Sequence, residues 1–104
     1  MNRYILVLGI ALISGITLGA GSAASGEKIY KSKCVECHGE TGMGLKERQA
    51  PMLAGQFDWY IILQLEAFRN GERNNPDMLP FIKNLSKKDF EDLAAYISSL
   101  RSTH

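Results

Sequence analysis

Apolar residues recur at helical spacing in three stretches of the chain, residues 26–38, 59–70 and 87–100. In each stretch the apolar residues fall on one side of the predicted helix and polar residues on the other. The apolar positions are Ile29, Tyr30, Ile61, Ile62, Leu65, Phe68, Phe90, Leu93, Ala94, Ile97 and Leu100. No stretch after residue 24 alternates apolar and polar residues with the period of a strand. The pattern predicts an all-α fold of about three main helices joined by loops.

The residues that flank these stretches are typical helix ends. Ser25 and Asp58 are predicted N-caps of the first and second helices, and Gly71 is a natural terminator of the second. Ser86 and Asp89 have the spacing of a capping box at the start of the last helix. The apolar side of the last helix needs a partner, and we expect the first helix to be that partner.

Two segments between the helices have no periodicity. The first, residues 39–57, is rich in glycine, and the second, residues 72–85, has prolines on both sides of Met78. Structureless loops of this length usually have a function in a small domain. We expect them to wrap around a bound group.

The first 24 residues have the layout of a secretory leader. One basic residue, Arg3, precedes an uncharged apolar run that reaches to about residue 20, and the small residues Ser22, Ala23 and Ala24 follow. This pattern predicts a signal peptide over residues 1–24, cleaved after Ala24, and hence a periplasmic protein of residues 25–104. The alternative is an uncleaved leader that anchors the protein in the membrane.

Removal of this leader leaves a small domain of balanced charge. The whole chain has 12 basic and 11 acidic residues, and loss of Arg3 makes the numbers equal. A nucleic-acid-binding protein needs a clustered basic excess, so this class is excluded. A domain of about 80 residues is marginally stable unless a disulfide, metal or cofactor supports it.

The sequence CVECH at residues 34–38 contains both cysteines of the chain and one of its two histidines. A disulfide or redox-active dithiol is one interpretation, but a thioredoxin-like protein also needs strands. A closed zinc site needs four ligands, and only the terminal His104 could add to these three. The remaining interpretation is covalent haem attachment, for which C-x-x-C-H is the signature. Cys34 and Cys37 would form the thioethers and His38 would bind the iron.

A second axial ligand is commonly a methionine sulfur. Met43 is too near His38 in sequence to reach the opposite face of a haem, and Met52 is separated from His38 by only a loop. Met78 follows an intervening helix and lies in a proline-flanked loop, which favours it as the distal ligand. The alternative is that Met78 fills a gap in the core, the usual function of methionine.

The chain resembles the class I c-type cytochromes. Within this family it is most similar to the small bacterial monohaem cytochromes and to single domains of bacterial dihaem cytochromes. The resemblance covers nearly all of residues 26–100. The segments that carry it are GEKIY, CVECHGETGMG, PMLAGQ, WYIILQLEAFRNGER, Met78 and LSKKDFEDLAAYISSL. It implies the class I cytochrome c fold, wrapped around one covalently attached haem c with its iron.

The resemblance also implies roles for individual residues. Cys34 and Cys37 match the thioether cysteines, His38 the proximal iron ligand and Met78 the distal ligand. Pro51 matches the proline whose carbonyl accepts a hydrogen bond from the proximal histidine.

Further positions match the family with less defined roles. Gly26 and Tyr30 match positions where the first helix crosses the last helix near Tyr96. Arg69 and Arg73 are candidate partners of the haem propionates, or are simply solvated. Trp59 and Tyr60 contact either the haem or the core.

These features lead us to expect a carrier of single electrons between a donor and an acceptor protein, with no catalysis by this chain alone. One alternative is a cytochrome subunit of a larger exported oxidoreductase that contains flavin or molybdenum. A second is a haem-based ligand binder with an open sixth coordination site.

Overall fold

The computed structural model of the chain describes residues 21–101, and these residues form five α-helices. The helices are α1 (Ala23–Lys33), α2 (Val35–His38), α3 (Asp58–Asn70), α4 (Leu79–Ile82) and α5 (Lys87–Ser99). Between α2 and α3 there is one 3₁₀ turn, Lys46–Arg48, and an isolated bridge between Leu45 and Ala50. Within residues 21–101 no strand forms, and three of the helices are long, as predicted.

Two predictions fall partly or wholly outside these residues. Most of the predicted leader, residues 1–20, is not described, and neither is His104.

The first helix differs from its predicted bounds at both ends. It begins at Ala23, and its N-cap is Ser22, whose Oγ accepts the N–H of Ser25 at 3.1 Å. The prediction of Ser25 as the cap is therefore wrong, because the chain is already helical there. At the other end the helix stops at Lys33, and Cys34 forms a turn before the short helix α2.

The ends of α3 and α5 depend on local signals. Asp58 is the first residue of α3, and Phe57 occupies the N-cap position without a side-chain hydrogen bond. The prediction of Asp58 as the N-cap is therefore wrong by one residue. Gly71 ends α3 with a left-handed backbone, φ +88°. Ser86 and Asp89 make both hydrogen bonds of the capping box, which confirms that prediction.

The first and last helices cross in close contact, as predicted. A Cβ atom added at Gly26 would lie 1.9 Å from the carbonyl oxygen of Asp92, so the two backbones touch at this glycine. Four residues later, the rings of Tyr30 and Tyr96 pack with centroids 5.4 Å apart. The Tyr30 hydroxyl donates to the carbonyl of Gly39 at 2.6 Å, which ties the crossing to the end of α2.

The core is built on this crossing. Its buried members are Tyr30, Ile61, Leu65, Ile82, Phe90, Leu93, Ala94 and Ile97. Helices α3 and α4 supply the second side of the core, where α3 packs on α5. Of the five apolar positions predicted for α5, four are buried and Leu100 is only half-buried.

Substitution of Gly26 tests the helix crossing, because two effects of opposite sign compete there. Alanine is favoured over glycine inside a helix by about 1 kcal/mol. The added Cβ would overlap the Asp92 carbonyl, a backbone group that cannot rotate away, so the cost is expected at or above the upper end of the about 1–3 kcal/mol typical of overpacking. We expect Gly26→Ala to lower the Tm of the purified protein by roughly 5–15 °C.

The control is Gly71→Ala, where the Cβ meets no atom within 4 Å and only the left-handed φ is unfavourable. We expect this change to have the smaller effect, corresponding to about 1 kcal/mol. A Gly26→Ala protein as stable as the parent would mean that the helices do not touch at this residue.

Candidate haem site

The C-x-x-C-H segment begins where α1 ends. Cys34 terminates α1 and precedes α2, so both cysteines and His38 lie on one turn of backbone. The N–H of His38 bonds to the carbonyl of Cys34 at 2.9 Å, which closes that turn. Both thiols are free and half-buried. The segment thus presents two thiols and an imidazole from a single rigid turn, anchored through α1 to the helix crossing.

The imidazole of His38 is buried and fixed in orientation. Its side chain is 6% exposed, and its Nδ1 lies 3.0 Å from the carbonyl oxygen of Pro51. Because a carbonyl only accepts, Nδ1 carries the proton and Nε2 is the nitrogen with a free lone pair. Burial lowers the pKa of His38, although the bond to Pro51 opposes this shift. The ring is therefore neutral at pH 7, the form that binds a metal.

The two thiols have different surroundings. Burial raises the pKa of Cys34 to about 12, so this thiol stays protonated in the folded chain. Cys37 is closer to solvent, and its Sγ accepts a hydrogen bond from Arg48 at 3.3 Å. The guanidinium of Arg48 also lies 4.0 Å from a carboxylate oxygen of Glu36, within the same exposed edge of the site.

Two adjoining cavities open beside this segment, with volumes of about 470 Å³ and 150 Å³. They adjoin the same residues, Cys34, His38, Gln49, Pro51, Asn75, Met78 and Ile82, and the two cavities together are called the crevice below. The larger cavity extends between the helices to Ile61, Leu65, Leu93 and Ile97. The inner part of the crevice is thus lined by apolar side chains, and sulfur and imidazole groups also line its walls.

The three candidate methionines, Met43, Met52 and Met78, lie at different places relative to the crevice. Met78 lines both cavities, as His38 does, and Met52 lines the larger one only. Met43 lines neither cavity. Met52 directly follows Pro51, so it belongs to the segment already bonded to the histidine ring. Met78 comes from a separate segment, the one that leads into α4.

The position of Met78 is set by a residue that the sequence prediction did not include. The side-chain oxygen of Asn75 accepts the N–H groups of Asp77 at 3.1 Å and of Met78 at 3.2 Å. This is an Asx turn, and the sequence NPD at residues 75–77 is typical of one. The motif could therefore have indicated that Met78 is held by a fixed turn and not by a mobile loop.

The two candidate arginines prove to be in different places. Arg69 donates to the carbonyl of Leu85 and lies over the ring of Phe90, 4.2 Å from its centroid, and it lines neither cavity. Arg73 lines the larger cavity and donates to the side-chain oxygen of Gln64 at 2.5 Å. Gln64 lines the same cavity, and nothing in the sequence pointed to it. Only Arg73 is therefore placed to meet a group in the crevice.

The two neighbouring aromatic residues, Trp59 and Tyr60, also lie in different surroundings. Tyr60 lines the larger cavity, whereas Trp59 is 61% exposed and stacks on Phe57 at the surface. Of the two, Tyr60 can contact a group in the crevice, and Trp59 contributes to neither the crevice nor the buried core.

The donor set of this crevice fits a covalently bound haem. A neutral, oriented imidazole, two thiols on the same turn and a thioether from another segment are the groups that hold haem in c-type proteins. The apolar side chains between α3 and α5 are suited to contact the face of a porphyrin. Arg73 and Gln64 supply polar donors to the larger cavity.

Comparison with known proteins identifies relatives of this chain. The model of the family described as cytochrome c oxidase, cbb3-type, subunit III matches residues 21–97. The chain is 34% identical over 100 residues to cytochrome c4 from Pseudomonas aeruginosa, covering 95% of this chain and 49% of that protein. It is 43% identical over 83 residues to cytochrome c-554(548) from Halomonas halodenitrificans, covering 77% of this chain and 98% of that protein.

A third relative is named for an enzyme. The chain is 36% identical over 86 residues to the thiosulfate dehydrogenase electron acceptor of Stutzerimonas stutzeri, covering 75% of this chain and 40% of that protein. Among solved structures, reduced recombinant cytochrome c4 from Pseudomonas stutzeri matches with a TM-score of 0.71 and 32% identity, over 79% of this chain and 52% of that one. The chain therefore spans about half the length of the cytochrome c4 proteins that it matches.

Proposed function

This chain belongs to the c-type cytochrome family, with the class I fold, and is an electron-transfer protein that binds haem c and its iron covalently; from this premise we propose that it is an exported single-electron carrier with His38 and Met78 as axial ligands. Cys34 and Cys37 are the proposed thioether positions. One observation supports this most strongly, namely that a buried, neutral His38 and Met78 line the same crevice.

His38 has the properties of a proximal ligand. Its Nδ1–H donates to the Pro51 carbonyl, so the ring is held in one tautomer with Nε2 as the free nitrogen. Donation from Nδ1 also increases the basicity of the ligating nitrogen. Pro51 thereby acts on the metal through the histidine, by orientation and by hydrogen bonding.

Met78 is a better distal ligand than Met52 for a geometric reason. A second iron ligand would have to come from a segment that is not already joined to the histidine ring. The Met52 segment is joined to the histidine ring through Pro51, while Met78 comes from the turn built by Asn75. That turn fixes the backbone of Met78 in advance, so little entropy is lost when its sulfur binds.

Arg73 and Gln64 are the proposed partners of a haem propionate. They lie together at the larger cavity, and the guanidinium offers further N–H donors beyond the one used by Gln64. Arginine binds carboxylates well because its fork of donors matches their two oxygens. Arg69 is not proposed for this role, because it lines neither cavity.

A haem held by these residues would supply the chemistry, a one-electron exchange between ferric and ferrous iron. The protein controls that exchange through its axial ligands, burial and hydrogen bonding. The side chains of Ile61 and Leu65 from α3 and of Leu93 and Ile97 from α5 give the crevice an apolar wall. We propose that the chain carries electrons and does not itself catalyse a reaction.

Export to the periplasm is supported by the leader pattern of residues 1–24. An uncleaved leader would instead leave the carrier tethered to the membrane surface.

Within residues 21–101, the structure contains no helix that is both long enough and apolar enough to span a bilayer.

A second candidate function is favoured by one similarity. The relative named thiosulfate dehydrogenase electron acceptor suggests that this chain, too, receives electrons from a dedicated dehydrogenase. Purification of the tagged protein from its own cells, under mild conditions, tests this. A stable larger subunit that reduces the haem on addition of thiosulfate would support an enzyme-associated role, and a lone small cytochrome would support the free carrier.

Replacement of Met78 tests the distal ligand. We expect Met78→Ala to lower the reduction potential by on the order of 100 mV or more, because a thioether ligand raises the potential. The ferrous variant should also bind carbon monoxide at its vacated coordination position, which the parent protein should not do. Both effects can be measured by redox titration and absorption spectroscopy.

Met52→Ala is the matched control, since it removes the same side chain from the same cavity. It should leave the potential within about 30 mV of the parent and should not admit carbon monoxide. If the two variants exchanged behaviour, Met52 would be the ligand. If the parent itself bound carbon monoxide readily, the ligand-binding alternative would replace the carrier.

The two arginines are expected to differ in their effect on the reduction potential when each is changed to glutamine. Arg73→Gln removes a positive charge beside the crevice and should lower the potential by on the order of 20 mV. It also loses the bond to Gln64 and the contact with the Phe68 ring, so some decrease in Tm is expected as well. Arg69→Gln loses its bond to Leu85 and its contact with Phe90, and should lower the Tm by roughly 4–10 °C. Equal effects of both variants on the potential would contradict the distinction between them.

A further inference from the structure

The first turn of α1 is built from residues that the sequence assigns to the leader. Ser22 caps the helix through its Oγ, and its carbonyl accepts the N–H of Gly26 at 2.9 Å. Ala23 and Ala24 are the first two helical residues. The predicted cleavage after Ala24 would therefore remove both the cap and half of the first turn.

The same residues are attached to α5 by their backbone. The N–H of Ser22 donates to Oδ1 of Asp92 at 2.7 Å. A Cβ added at Gly21 would lie 2.0 Å from the carbonyl oxygen of Glu91, so this backbone also touches α5. Together with the contact of Gly26 at Asp92, the chain meets one short segment of α5 at three successive places.

Asp92 makes this attachment important for stability. It is a carboxylate with 4% exposure, and its two partners are the Ser22 N–H and the Nζ of Lys88, the latter at 2.8 Å. Burial by itself raises the pKa of Asp92, but the bonds from Lys88 and Ser22 outweigh this and lower it. Loss of Ser22 would leave a buried charge with one donor fewer, and an unsatisfied buried charge is costly.

We propose that residues 21–24 remain in the mature protein as the capped first turn of α1, and that any removal of the leader takes place at or before the Ala20–Gly21 bond. The reaction is hydrolysis of one peptide bond, in which water supplies the hydroxyl of the new carboxyl group and the hydrogen of the new amine. Cleavage between Gly19 and Ala20 would place the small residues Thr17 and Gly19 three and one positions before the bond, the A-x-A-like spacing that a leader peptidase requires. The inference depends on the packing of α1 against α5 and not on the proposed iron ligands.

The first test is the intact mass of the denatured protein, made from the full chain in a host that exports and matures c-type cytochromes. A polypeptide that begins at Gly21, or at any earlier residue, supports the proposal. A polypeptide that begins at Ser25 overturns it. The haem contributes a separate mass increment, so the start of the chain is read whether or not haem is attached, and failure of one proposal is distinguished from failure of the other.

The second test uses two serines three residues apart in the same full chain. If residues 21–24 are retained, Ser22→Ala removes the cap and should lower the Tm by roughly 4–8 °C. Ser25→Ala is the control, because its side chain is exposed and caps nothing in the described structure, and its Tm should stay within about 2 °C of the parent. Unchanged Tm for Ser22→Ala would overturn the proposal, since a residue that is removed or unattached cannot affect stability.

Discussion

The contact between α1 and α5 is the constraint on which the rest of the structure depends. At Gly26 the two backbones approach so closely that no side chain fits between them. This approach allows Tyr30 to pack against Tyr96 and to reach the Gly39 carbonyl with its hydroxyl. Because Gly39 directly follows His38, the helix crossing also fixes where the histidine emerges.

A small core and a binding crevice are two parts of the same arrangement. The helices bury eight residues in one cluster, and several of them also line the larger cavity. A haem in that crevice would add a large apolar surface to a core that is modest by itself. The two proposed iron ligands are each held by a hydrogen bond, His38 through its ring to the Pro51 carbonyl and Met78 through its N–H to the side-chain oxygen of Asn75. Binding and folding therefore depend on the same contacts.

Local signals in the sequence were sufficient for much of this fold, and tertiary contacts decided the rest. The Ser86 and Asp89 capping box involves neighbouring residues only, so it was predicted correctly. Ser22 and Ser25 are equally good caps by sequence, and the choice of Ser22 accompanies a bond to Asp92, 70 residues away, which no local pattern contains. Likewise, Arg69 and Arg73 look alike in sequence, but only the second reaches the crevice. The C-x-x-C-H spacing was informative because covalent haem attachment constrains those residues directly.

We propose that one histidine, His38, and one methionine sulfur, that of Met78, bind the haem iron. X-ray absorption at the iron edge of the purified ferrous protein tests this most directly, because it counts the atoms bound to the metal. We expect one sulfur and five nitrogens, four from the porphyrin and one from His38. Six nitrogens, or five ligands with an open position, would contradict it.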